Sequence, residues 1–121
     1  MYVELSRKYD FSAAHYLPRA PEGHKCRRLH GHSYEIEVAV RGEVDPETGW
    51  LIDYGDIDAR VKPVVAELDH RTLNEVSGLE NATSELLCGW LWERLRGDLS
   101  GLHRITVAET CAAACHYYGP A

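Results

Sequence analysis

The sequence predicts an α+β fold, in which a four-stranded antiparallel sheet carries two helices on one face. Two strand-like patterns, with apolar and polar residues in alternation, precede two stretches with helical spacing of apolar residues. Two further strand-like segments follow these stretches. Helices grouped between two hairpins are typical of this class.

The first two strands lead to and from a group of histidines. Apolar residues at alternate positions of 3–13 predict a half-buried strand that reaches His15. Residues 18–28 are rich in Pro, Gly and charge, so they predict a loop. Alternation resumes over residues 34–40, which predicts a second strand starting just after His32.

The first helix is predicted from apolar residues at i, i+4, i+7, i+8 and i+11, namely Ile57, Val61, Val64, Val65 and Leu68. Pro63 lies inside this pattern and is expected to kink the helix. The second helix is predicted to begin near Thr83 and Ser84, which can cap it, and to end at Gly97. Its predicted apolar stripe is Leu87, Trp90, Leu91 and Leu95.

The last two strands complete the predicted sheet. Ile105, Val107 and Glu109 open the third strand, and the fourth runs from Ala113 to Tyr117. Four strands leave two sheet edges, which need to be covered or paired. We therefore expect assembly through those edges.

Length and charge narrow the class of protein. The 121 residues are expected to form one domain, 1–121. The net charge of −6 argues against a general nucleic-acid binder, which needs a basic face. No apolar run approaches the roughly eighteen residues of a membrane span. The first ten residues carry charges where a signal peptide needs an apolar stretch, so a cytoplasmic protein is expected.

Without an export signal, the four cysteines are expected to be free thiols: Cys26, Cys88, Cys111 and Cys115. Cys88 lies inside the helical pattern and is expected to be a small buried residue. Only Cys26 sits among polar groups that could make it reactive. The basic segment 24–28 around it suits a small polyanionic ligand such as a phosphate ester, and it equally suits a solvated loop.

Three histidines predict a metal site. His30 and His32 are two apart on a strand-like stretch, so their side chains share a face about 7 Å apart. His15, at the end of the neighbouring strand, can supply a third nitrogen. Three protein ligands leave the fourth position of a zinc ion open, as in catalytic sites. Alternation alone can also produce a pair of histidines two residues apart.

Other polar residues near the predicted ends of elements are candidates for proton transfer. Cys26 precedes His30 by four residues, and a thiolate near a metal and basic groups can act as a base. Asp69 and His70 could exchange a proton, or could be an ordinary polar pair at a helix end. Glu109, at the end of the third predicted strand, is a further candidate, and it could equally be a surface charge.

These motifs, in this order, resemble the 6-pyruvoyltetrahydropterin synthase superfamily. Within it, the resemblance is greatest to the bacterial 6-carboxy-5,6,7,8-tetrahydropterin synthase branch of the queuosine pathway, because three residues separate the cysteine from the His-Gly-His motif. The matching blocks are residues 11–15, 21–26, 29–32, 42–46, 68–70, 73–74, 78–81, 83–85 and 109–111.

The resemblance implies the tunnelling fold, in which subunits join their sheets into a barrel, commonly as a homohexamer of two stacked trimers. Active sites in this family lie between subunits. The implied reaction converts 7,8-dihydroneopterin triphosphate to 6-carboxy-5,6,7,8-tetrahydropterin, acetaldehyde and triphosphate. No nucleic acid or membrane partner is implied.

The resemblance also implies residue roles. His15, His30 and His32 would hold Zn²⁺, and Cys26 would be the general base. Asp69 and His70 would form a proton relay, which requires the chain to leave the helix there. Glu109 would anchor the pterin by accepting two N–H bonds, and Thr83 and Ser84 would hold the ring.

Three positions depart from the family pattern. Arg27 stands where a small residue is expected, Ala82 replaces a common proline, and the tail lacks a basic residue before Gly119. The missing tail charge leaves the phosphate contacts open, and Arg27 could compensate. The alternatives are pyruvoyl formation or sepiapterin side-chain cleavage on the same fold, and a non-catalytic zinc or pterin-binding module.

Overall fold

The computed structural model describes residues 1–121 and confirms the predicted α+β fold. A single antiparallel sheet has the strand order β1-β2-β3-β4. Two helices lie between β2 and β3 in the chain. The elements are β1 (Tyr2–His15), β2 (His30–Glu43), α1 (Tyr54–Ala66), α2 (Ser84–Leu95), β3 (Leu102–Thr110) and β4 (Ala113–Tyr117).

Both helices lie on the apolar face of the sheet. α1 packs against β1 and α2, and α2 packs against β3 and β4. The core between them contains the alternate apolar residues of the strands, such as Phe11, Ile36 and Ile105. Lys8 and Glu35 lie on the opposite, polar face. Neither α1 nor α2 has the length and the apolar character of a membrane-spanning helix.

Three predicted boundaries or faces are wrong. β2 begins at His30 rather than after His32, because His30 pairs with His15 and continues the ladder with β1. α1 ends at Ala66, although Leu68 beyond it is fully buried. On α2, Trp90 is only partly buried and Trp92 is the buried tryptophan, since its ring packs against Tyr117 of β4.

A side chain caps the first turn of each helix, a carboxylate for α1 and a hydroxyl for α2. The side chain of Asp53 accepts a hydrogen bond from the Gly55 N–H, and Thr83 Oγ1 accepts one from the Leu86 N–H. These bonds satisfy backbone donors that a helix leaves free in its first turn. The predicted start of α2 at Thr83 and Ser84 is therefore confirmed.

The segment after α1 covers one end of the β1 edge. His70 N–H donates to Ser12 O over 2.6 Å, and Ala14 N–H donates to Arg71 O over 2.9 Å. His70 has a φ of 59°, a left-handed conformation that costs a non-glycine residue roughly 1–2 kcal/mol. This turn takes the chain out of the helix and places Asp69 and His70 beside the strand that carries His15.

Candidate metal centre

The three predicted histidines meet at one end of the sheet, on the helix-facing side. His15 is directly opposite His30 in the β1–β2 ladder, and His32 follows two residues later on the same face as Tyr34. One ring nitrogen from each histidine lies within 4.8 Å of the other two. The β1–β2 register thus brings three imidazoles to a common point.

Backbone carbonyls set the orientation of two of these rings. His15 Nδ1–H donates to Ala82 O over 2.7 Å, and His30 Nδ1–H donates to Arg28 O over 2.7 Å. A carbonyl oxygen only accepts hydrogen bonds, so the Nδ1 atoms carry the protons and the Nε2 atoms are left with lone pairs. A hydrogen bond from the ring nitrogen that does not face the metal is typical of metal-binding histidines.

Burial leaves the inward nitrogens without any partner. His15 is 1% exposed, and its Nε2 atom is buried without a hydrogen bond, as is the Nε2 atom of His32. Buried polar atoms without a hydrogen bond are rare, so these two call for a partner that the chain itself does not supply. Desolvation also lowers the pKa of His15, which favours the neutral form that binds metals. The triad therefore fits a metal ion.

Glu109 lies beside the triad rather than on a free surface. The β3–β4 register shifts between Val107 and Thr110, and such bulges re-aim side chains. Ser84 Oγ–H donates to Glu109 Oε1 over 2.9 Å, and the Glu109 side chain is 28% exposed. These residues line a cleft of about 400 Å³ between the start of α2 and the β3–β4 hairpin. Thr83 is different, because its hydroxyl caps α2.

Asp69 and His70 form a pair, and Cys26 is separate from them within one chain. His70 Nδ1 lies 3.0 Å from Asp69 Oδ1, which also accepts the Ser12 N–H. That backbone hydrogen bond, followed by the bond from His70, lowers the pKa of Asp69. Cys26 lies in a short 3₁₀ helix (Lys25–Arg27), and no hydrogen bond joins it to Asp69 or His70.

The basic loop that contains Cys26 is held by its own contacts. Arg27 Nη1–H donates to Ala20 O over 3.0 Å, which ties the guanidinium to the loop. His24 Nδ1 accepts the Cys26 N–H, so His24 acts locally, as expected for a histidine outside the triad. Neither contact places a charge against the three metal-site histidines.

Sequence reasoning missed two residues of the site, Tyr34 and Asn74. Tyr34 is 1% exposed, its ring stacks on Phe11 at 5.0 Å, and its hydroxyl has no partner. Burial, and then the charge of Glu109, raise the pKa of Tyr34. Asn74 holds the backbone of Tyr16, the residue after His15. The sequence signal for Asn74 was its place in the matched block 73–74. The signal for Tyr34 was its position two residues after His32, on the same face of the strand.

Comparison with known proteins places these features in one family. The sequence model for 6-pyruvoyl tetrahydropterin synthase matches residues 4–120. A 6-carboxy-5,6,7,8-tetrahydropterin synthase of Synechocystis is 41% identical, over 96% of this chain and 93% of the relative. A dihydroneopterin monophosphate aldolase of Pyrococcus furiosus is 36% identical, over 90% and 91% of the two chains.

A solved structure agrees with these sequence matches. The Caenorhabditis elegans 6-pyruvoyl tetrahydropterin synthase superposes with a TM-score of 0.91 and 30% identity. The superposition covers 99% of this chain and 97% of the other.

Proposed function

The chain belongs to the 6-pyruvoyl tetrahydropterin synthase family, and we propose that it is a zinc-dependent lyase acting on 7,8-dihydroneopterin triphosphate. The reaction consumes one water molecule, its products are 6-carboxy-5,6,7,8-tetrahydropterin, acetaldehyde and triphosphate, and the pathway is queuosine biosynthesis. The observation that carries the proposal is the convergence of three histidines, of which His15 and His32 have buried Nε2 atoms without a partner in the chain.

The chemistry of this site divides between metal binding and proton transfer. His15, His30 and His32 would hold the ion, and zinc would supply a Lewis acid for the side-chain oxygens of the substrate and for the carbonyl that develops there. Cys26 takes a proton from that side chain as general base. Asp69 orients His70 through the 3.0 Å contact, so that the imidazole can pass a proton.

Glu109, in the cleft next to the three histidines, binds the pterin ring. Its carboxylate can accept two N–H bonds from the guanidine-like edge of a pterin, and charge-assisted bonds of this kind are strong. Ser84 holds one carboxylate oxygen through its hydroxyl. The cleft is open, so a flat ring can enter it from the side of the β3–β4 hairpin.

Assembly completes the proposal. We propose a homo-oligomer, a hexamer of two trimers, in which the sheets join into a barrel and the active sites lie between subunits. In this arrangement Cys26 of one copy meets the Asp69–His70 pair of a neighbour, which is consistent with the lack of a hydrogen bond between them in one chain. The domain comprises residues 1–121, and four free cysteines suit the reducing cytoplasm.

The alternative on the same fold is formation of a pyruvoyl product. The C. elegans structure is a pyruvoyl synthase, at 30% identity, whereas the Synechocystis carboxypterin enzyme is 41% identical. The spacing of three residues between Cys26 and His30 favours the carboxypterin reaction.

One experiment separates the two activities. Zinc-loaded protein is incubated with dihydroneopterin triphosphate, and the acetaldehyde is trapped as a hydrazone. The molecular mass of the pterin product is measured by mass spectrometry. We expect acetaldehyde in equal amount to a carboxypterin. A diketone product that keeps all three side-chain carbons, with no acetaldehyde, would assign the pyruvoyl activity instead.

A further inference from the structure

The carboxylate of Glu109 faces two of the triad histidines. Glu109 Oε1 lies 3.9 Å from His15 Nε2, and Glu109 Oε2 lies 3.8 Å from His32 Nε2. These contacts are longer than the roughly 2.7–2.9 Å of a charge-assisted hydrogen bond. Both nitrogens are buried without a hydrogen-bond partner. The carboxylate and the imidazoles therefore approach each other without a proton shared between them.

The facing atoms of Glu109 and His15 repel each other unless a cation lies between them. His15 Nδ1–H donates to Ala82 O, so the Nε2 atom of the neutral ring presents a lone pair. The oxygens of Glu109 present lone pairs as well. Two imidazole nitrogens and a carboxylate that converge in this way form the type of donor set that zinc binds.

The distances fit ligands of one ion. Zinc bonds of about 2.0–2.2 Å place two ligand atoms of a tetrahedral ion about 3.3–3.5 Å apart. The measured separations exceed this by only a few tenths of an ångström. A small rotation of the Glu109 side chain closes that gap, and Oε2 has no hydrogen bond that would resist it.

We propose that Glu109 is the fourth protein ligand of the metal in the substrate-free enzyme, with Oε2 as the ligand atom, and that a bound pterin displaces it. The proposal rests on the metal site of the proposed function. Ser84 supports the ligand by donating its hydroxyl hydrogen to Oε1, and metal-binding carboxylates are commonly held by such hydrogen bonds.

A consequence is competition between metal coordination and pterin binding. A carboxylate that accepts two N–H bonds from a pterin cannot keep its ligand oxygen on the metal. The coupling of two binding equilibria is reciprocal, so each ligand weakens the other by the same factor. A pterin without side-chain oxygens cannot replace the lost ligand. It should therefore weaken zinc binding.

The test measures metal binding without any substrate. Zinc affinity is measured by competition with a chromophoric chelator for wild type, Glu109→Gln and Glu35→Gln. Glu35 is the matched control, because it loses the same charge on the opposite face of the sheet, where it pairs with Lys8. We expect Glu109→Gln to bind zinc about 10- to 100-fold more weakly, the range found for groups that support metal sites. Glu35→Gln should stay within twofold of wild type.

Cobalt substitution supplies a second readout. The visible absorption of Co²⁺ depends on its ligands, so it should change in Glu109→Gln and on addition of 6-unsubstituted pterin to wild type. Equal zinc affinity and an unchanged cobalt spectrum in Glu109→Gln would overturn the proposal and leave the proposed function intact. Failure of the wild type to bind metal would overturn both. Metal binding with the expected changes, but without turnover, would support Glu109 as a ligand and refute the proposed reaction.

Discussion

Asn74 binds both backbone groups of Tyr16. Asn74 Oδ1 accepts the Tyr16 N–H over 3.0 Å, and its Nδ2–H donates to Tyr16 O over 2.7 Å. The same amide donates to Glu80 O over 3.1 Å. One buried side chain thus joins the end of β1, next to His15, to the segment that presents Ala82 O to the His15 ring.

Asn74→Ala is expected to weaken both the fold and the metal site. The change leaves backbone groups of Tyr16 and Glu80 without partners, at a cost of about 2 kcal/mol in the free energy of unfolding. Zinc affinity should also fall, because His15 loses its support. Urea denaturation and chelator competition measure the two effects. The control is Glu75→Ala, since Glu75 is exposed beside Asn74 and its side chain makes no hydrogen bond; equal losses in both variants would contradict this role.

His30→Ala is expected to lose metal and activity together. The three Nε2 atoms form one site, so two remaining imidazoles bind zinc weakly. Elemental analysis of the purified protein measures the metal content. His24→Ala should keep its metal, because His24 only accepts the Cys26 N–H in the loop. Full zinc content in His30→Ala would refute the assignment.

Cys26→Ala is expected to separate binding from catalysis. It should retain zinc and bind the pterin, because no contact of the Cys26 side chain supports the triad. Turnover should fall by about 10²- to 10⁴-fold, the usual effect of losing a general base. Stopped assays of acetaldehyde release measure it. Turnover within a few fold of wild type would show that another group removes the proton.

Thr83 and Ser84 are adjacent and are expected to differ in their roles. Thr83→Ala removes the cap of α2 and should cost about 1 kcal/mol of stability, with unchanged pterin affinity. Ser84→Ala removes the hydrogen bond to Glu109 and should weaken pterin binding about tenfold. Thermal unfolding and titration of a non-reactive pterin test the pair. The reverse pattern would argue that Thr83 contacts the ring.

Asp58→Asn is expected to alter stability in a pH-dependent way. Hydrogen bonds from Arg7, and then from Tyr9, lower the pKa of Asp58. The carboxylate therefore contributes stability above its unfolded pKa of about 3.9, and the contribution is lost as the pH falls through the lower, folded value. Wild type should be more stable than the variant at neutral pH.

The pH series of thermal midpoints decides this last prediction. The difference between wild type and Asp58→Asn should shrink below about pH 4 and vanish in stronger acid. Asp10→Asn is the control, because Asp10 lies exposed on the polar face of the sheet and makes no ion pair. A difference that stayed constant down to strong acid would mean that the lost contacts are not those of an ionised carboxylate.

Local patterns predicted most of the architecture. Strand alternation and helical spacing gave the correct order of elements, and the Thr83 cap marked the start of α2. The wrong predictions concern residues whose burial or strand pairing depends on a residue far away in the chain. Trp92, rather than Trp90, is buried because Tyr117 of β4 packs against it, and His30 joins β2 because His15 pairs with it.

Residue type and short-range spacing were enough to predict the fold class, the group of three histidines and the candidate acid–base residues. Other relations became visible only in the folded chain. Glu109 faces His15 and His32, Asn74 supports Tyr16, and Asp69 and His70 lie along β1. These relations join residues 57 to 94 positions apart in the chain. They depend on the register between strands and on the direction of each side chain after packing, which no local pattern specifies.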